Sequence, residues 1–184
     1  MNRGINRALS QYKYTYYEKV RNCDYTGICV FISHKSSDSK EAKEIAELFK
    51  ENGIDVYIDL DDNGLQIASV SNNAQSVVDH IQEGLKCSTH LLAMISDDTK
   101  DSWWVPYEIG YAKKGKKNIA SLILSKNKQN LPDYLLIEEQ IRTLYELEKY
   151  VKNIKIKRQK YGGLFENVTV YGDELALGKI VRGY

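Results

Sequence analysis

THLLAMISDDTKDSWWVPYEIGYAKKGKKNIASLIL, residues 89–124, sets two short apolar runs on either side of a helical pattern. THLLAMIS (89–96) and NIASLIL (118–124) are too short for helices and apolar at consecutive positions, as strands buried on both faces are. Between them, Pro106 lacks an N–H and is tolerated only in a first helical turn, so a helix must begin between Ser102 and Val105. A strand, a helix and a second strand joined this closely predict a parallel pair with a helical crossover.

The same alternation extends outward. ICVFIS (28–33) and IDVYI (54–58) read as further buried strands, and EQIRTL (139–144) as a weaker fifth. KEAKEIAELFKENG (40–53) places Ala42, Ile45, Ala46, Leu48 and Phe49 on one helical stripe and stops at Gly53. AQSVVDHIQEGLKCS (74–88) does the same with Val77, Val78, Ile81 and Leu85. Thr143 and Glu146 form an S/T-x-x-E box that opens a last helix, YELEKYVKN. This order predicts an α/β, flavodoxin-like, five-stranded parallel sheet in order 2-1-3-4-5 with helices on both faces. In such a sheet ligands bind beyond the carboxyl ends of the strands where the order turns, here at loops 34–39 and 96–103.

The chain has 184 residues and a formal charge of +1, which suits one domain and gives no strong field toward nucleic acid or membrane. We expect neither as a partner. The first twenty residues lack the apolar stretch of a signal peptide, and no run approaches a membrane span. Cys23, Cys29 and Cys87 are odd in number and show no C-x-x-C spacing, so neither a disulfide framework nor a zinc site is expected, and a reducing cytoplasm is. Residues 26–153 form the expected domain, with a helical extension at 1–25 and a second extension at 154–184. In the first, Ile5, Leu9, Tyr12, Tyr16 and Val20 recur at helical spacing, which predicts a helix packed on the domain or a neighbour. Its interleaved arginines, lysines and tyrosines would also suit base stacking or a membrane surface.

Trp104 and Glu108, four residues apart, share one helix face. A glutamate near a helix start is favoured by the macrodipole whatever else it does, and a tryptophan there serves equally as an apolar anchor. The sequence holds a second indole for that anchoring role, Trp103, which leaves Trp104 for the cleft. Asp59 to Gly64 matches the first half of a calcium loop, D-x-D-x-N-G, but Val70 stands at the twelfth position where a bidentate glutamate is required. His34, His80 and His90 have no metal-ligand spacing, although His34 follows the first strand directly into the expected cleft. There is no phosphate-cradling P-loop, G-x-x-x-x-G-K followed by serine or threonine, and no G-x-G-x-x-G, so a dinucleotide would have to be held by loop N–H groups and helix N-termini.

FISHKSSD (31–38), GIDVYIDLDD (53–62) and SWWVPYEIGYA (102–112), taken in order, resemble the boxes of TIR domains, specifically those that cleave NAD. The resemblance spans residues 26–153. With no receptor or coiled-coil module visible beside it, the chain is similar to the standalone bacterial type found in antiphage defence, such as the Thoeris system. The resemblance implies that Glu108 is catalytic and that Trp104 packs against the ribose or nicotinamide. It places His34, Lys35 and Ser36 near the pyrophosphate or adenosine. Asp38 and Asp59 would reach the same pocket, a helix cap and a turn being their plainer roles. NAD would be the substrate, with no separate cofactor. Nicotinamide would leave, and ADP-ribose or a cyclic or conjugated form would signal to a separate effector. The loop at 59–75 would join neighbouring domains in self-association. Two other readings stay open: a non-enzymatic TIR interaction module, since fold does not imply function, and an enzyme like the nucleoside deoxyribosyltransferases, which also use a glutamate at a ribose.

Overall fold

All five expected strands form, each trimmed slightly at its ends: β1 (Cys29–Ser33), β2 (Asp55–Tyr57), β3 (His90–Ile95), β4 (Asn118–Ile123) and β5 (Glu139–Ile141). The computed structural model describes residues 3–10, 27–59, 67, 69–71, 73–124 and 131–162, with the backbone alone for residue 10 and for 157–162. The strands pair in parallel in the order β2-β1-β3-β4-β5, as the sequence predicts. β1 to β4 are almost wholly buried, which is why their sequences run apolar without alternation.

Between and beyond the strands lie α1 (Arg7–Ser10), α2 (Ser39–Glu51), α3 (Ala74–Lys86), α4 (Trp104–Lys114), α5 (Asp133–Leu136) and α6 (Leu144–Gly162). Two cores result, one on each sheet face. In the first, Ala42, Ile45 and Phe49 of α2 and Leu147, Tyr150 and Ile154 of α6 cover Val30, Ile32, Leu92 and Leu122. In the second, Val77, Ile81 and Leu85 of α3 and Val105, Ile109 and Ala112 of α4 cover Phe31, Tyr57, Leu91 and Ala93. The helix ends follow local chemistry. Gly53 takes a positive φ of 74° just past α2. The Asn73 side chain accepts from Ser76 N at 3.1 Å to cap α3. The expected box at α6 forms, Glu146 Oε2 accepting from Thr143 N at 3.0 Å and Thr143 Oγ1 from Glu146 N at 3.2 Å. Gly84 lets α3 lie directly over Tyr57, because a Cβ there would fall 2.4 Å from the ring.

The start of the chain departs from the expected stripe. Ile5 and Leu9 are exposed, while Asn6, Arg7 and Ala8 are buried. The cause is a buried ion pair: Arg7 donates through Nε and Nη2 to Asp55 Oδ2, at 3.0 and 2.9 Å, and through Nη1 to Cys87 O at 2.9 Å. Val56 N donates to Ile5 O and Gly4 N to Lys50 O, so this segment lies along the outer edge of β2. Tyr12, Tyr16 and Val20 of the expected stripe fall outside the described residues. At the other end α6 runs unbroken through 153, and Ile154 and Lys155 are buried, so that boundary cuts a packed helix. Cys29 is free and buried, its thiol pushed up to about 11 by burial. No described helix is long and apolar enough to cross a membrane.

Candidate active site

α4 starts at Trp104, inside the window set by Pro106, and Val105, Ile109 and Ala112 bind it to the sheet. Glu108 lies on the same inward side and is 2% exposed. It is the fifth residue of the helix, and the first turn holds no acidic residue, so capping the helix dipole does not account for it. Burial and the neighbouring charge of Asp59 push its carboxyl up to about 8, partly offset by a hydrogen bond from Ser33. Ser33 Oγ donates that bond to Glu108 Oε2 at 2.5 Å. Ser33 ends β1 beside β3, which is where the strand order turns.

Asp59 follows β2 and points inward rather than serving as a plain turn residue. Its Oδ1 lies 3.6 Å from His34 Nδ1, and the imidazole is buried at the end of β1 with Nδ1 also 3.4 Å from Ile32 O. The ends of two strands, β1 and β2, thus supply Ser33, His34 and Asp59 around Glu108. Asp38 stands at the head of α2 but makes no capping bond. Its carboxylate accepts from Ser96 Oγ at 2.8 Å instead, and burial raises its pKa. Lys35 Nζ donates to Asp98 O at 3.0 Å. Lys35 and Asp38 therefore tie the loop after β1 to the loop after β3, forming the wall of the crevice. Ser36 is exposed on the short turn between them, its carbonyl accepting from Ser39 Oγ at 2.6 Å.

The two indoles correct an expectation. Trp103 is 90% exposed and anchors nothing on the sheet; Val105 and Ile109 do that work, because the helix begins one residue later and turns Trp103 outward. Trp104 is 42% exposed, one turn before Glu108, its ring edge-on to Tyr107 with centroids 6.0 Å apart. Tyr107 is fixed in turn by Gln82, whose Nε2 donates to the phenol at 2.7 Å. Sequence reasoning missed Ser33 and Ser96. For Ser33 the signal was present: a hydroxyl in phase with Cys29 and Phe31 at the end of an otherwise apolar strand. Ser96 carried no comparable mark.

A cavity of about 450 Å³ lies at the opposite end of the sheet, lined by His90, Asn118, Glu139 and Tyr150 among others. It touches none of the residues above. The crevice at the carboxyl ends is the better candidate, because it gathers a buried carboxyl with a strongly displaced pKa and its partners at the switch point.

Fold and crevice together define a doubly wound α/β domain with an acidic site on its fourth described helix. Residues 30–152 match the TIR domain family, and the chain belongs to it. A probable 3′ cyclic ADP-D-ribose synthase, ThsB′, from Bacillus cereus (strain MSX-D12) is 26% identical over 127 residues. That match covers 68% of this chain and 61% of the relative's length.

Proposed function

We propose that this domain cleaves NAD at the bond between nicotinamide and ribose. The observation that carries the reading is Glu108, a carboxyl buried at the switch point beside Ser33 and Asp59 with Trp104 one turn away. Cleavage breaks the bond from C1′ to the pyridinium nitrogen. Its electron pair leaves with nicotinamide, and the sugar passes through an oxocarbenium-like state, as in glycoside hydrolysis. An ionised Glu108 holds the ribose hydroxyls and sets negative charge against that cation in a crevice of low dielectric. Trp104 packs on the ribose or nicotinamide and fixes the reactive geometry. Water, or a hydroxyl of the same molecule, then bonds to C1′ and loses a proton, giving ADP-ribose or a cyclic isomer. His34, Asp38 and Asp59 shape the wall, and Lys35 and Ser36 lie toward the outer, phosphate-bearing part of the substrate.

The named activity of the relative makes a cyclic ADP-ribose the product to look for, and we propose that this product signals to a separate effector in antiphage defence. Incubating purified protein with NAD and separating products by chromatography tests the reading. Nicotinamide should appear with an ADP-ribose species, and Glu108→Gln should release none. Intact NAD after long incubation of concentrated protein would favour the interaction module instead, and base exchange on a deoxynucleoside would favour the transferase.

A further inference from the structure

Ser33 is 1% exposed and faces the layer formed by Phe31, Val105 and Ile109. Such a wall offers a carboxyl nothing to bond to. A hydroxyl placed there has one partner, Glu108 Oε2, while Oε1 takes no hydrogen bond from the described residues. We propose that Ser33 is the positioning residue of the site: by holding Oε2 it fixes the Glu108 carboxyl and presents Oε1 to the ribose hydroxyls. The catalytic part of this rests on the reaction proposed above; the link between Ser33 and Glu108 does not. Asp59, with His34 behind it, is the charged group acting on Glu108, and neither residue bonds Oε2. A glutamate has three side-chain torsions, and losing its one fixed oxygen frees it from the orientation that the reaction needs.

The test follows the Glu108 carboxyl by NMR across pH, in protein isotope-labelled at glutamate side-chain carboxyls, without NAD, its resonance assigned by its loss in Glu108→Gln. In Ser33→Ala the midpoint should move alkaline by about one pH unit, the worth of one hydrogen bond to a charged group. Ser33→Thr, which keeps the hydroxyl on a side chain suited to strands, should restore it. With NAD, Ser33→Ala should lower kcat about tenfold near neutral pH with KM within about twofold, and the rising limb of kcat against pH should shift by the same amount. A folded Ser33→Ala whose midpoint stays at the wild-type value overturns the proposal. If Ser33→Ala does not fold, Ser33→Cys, a weaker donor, must move the midpoint in the same direction or the proposal fails. Wild-type protein that titrates as expected yet releases no nicotinamide overturns the proposed reaction, and leaves the link between Ser33 and Glu108 standing.

Discussion

At Glu108 the cost of burying a carboxylate and the catalytic use proposed for it meet in one side chain. The unfolded chain titrates this carboxyl near 4.5 and the folded chain near 8, so between those values the folded state holds the extra proton. Stability therefore falls as pH rises through that window, and is fully present only below it. Glu108→Gln never ionises. Its melting temperature should equal that of the wild type near the acid end of the window and exceed it by on the order of 10 °C above pH 8, since a shift of this size is worth roughly 5 kcal/mol and each kcal/mol about 2–4 °C in a chain this size. Turnover should vanish in the same variant. Paired melts across pH decide the point; parallel curves for the two proteins would show that the carboxyl titrates normally. Activity of the wild type should climb toward pH 8 as Glu108 ionises, measured as kcat at saturating NAD. The indoles give a second contrast. Trp103→Ala should leave the melting temperature within about 1 °C, the usual range for exposed sites, while Trp104→Ala should change KM and kcat together. A stability loss confined to Trp103→Ala would mean that the wrong indole has been placed at the surface. Sequence alone could place Glu108 on the helix face it shares with Trp104, because Pro106 fixes the helix start, while the resemblance to TIR domains is what singled it out. It could not sort Trp103 from Trp104, since one residue of uncertainty in a helix start rotates a side chain from sheet to solvent.

Among elements, the strands and main helices were legible because their signals are local. β3 and β4 are continuous apolar runs, α2 and α3 carry regular stripes, and Thr143 and Glu146 mark the start of α6 within four residues. The attachment of the N-terminal segment was not legible, because it rests on Arg7 meeting Asp55 and Cys87 far along the chain, and one arginine among many carries no mark of its partner. The helical spacing of Ile5 and Leu9 pointed to the wrong face for the same reason. Arg7 is 2% exposed, so Arg7→Ala removes a buried cation and leaves Asp55, 24% exposed, and the Cys87 carbonyl without it. Breaking such a pair typically costs about 3–5 kcal/mol, and some relief through the partly exposed aspartate sets the expectation at the lower end, about 3 kcal/mol by chemical denaturation. Asp55→Ala should cost as much or more, because it strands the buried guanidinium. A loss below about 0.5 kcal/mol for both would mean that the segment merely rests on β2.

At the scale of the molecule, the described residues leave large apolar side chains exposed in two separate stretches of the chain. The expected 59–75 loop is shorter than its sequence suggested, since residues 74 and 75 belong to α3; most of it lies outside the described residues, and of those that are described Ile67 and Val70 are 68% and 86% exposed. At the far edge of the sheet Leu136 and Ile137, before β5, are 54% and 72% exposed. Large apolar side chains held in water at two separate edges are what a contact between copies would cover. We propose that the polar stretch following Asp59 carries such a contact to the site, as long loops of this kind commonly do. We therefore expect activity that depends on assembly, with a dilute monomer nearly silent and turnover per molecule rising with concentration as mass action fills the associated state. Substitutions across Asp61 to Leu65 should lower activity and steepen its concentration dependence, while the Glu108 midpoint stays where it is. Ile137→Asp should do the same from the opposite edge without lowering the melting temperature of the dilute protein. Turnover per molecule measured over a wide dilution series, with light scattering on the same samples, settles it: a flat line over a range in which the protein stays monomeric would show that one copy completes its own site.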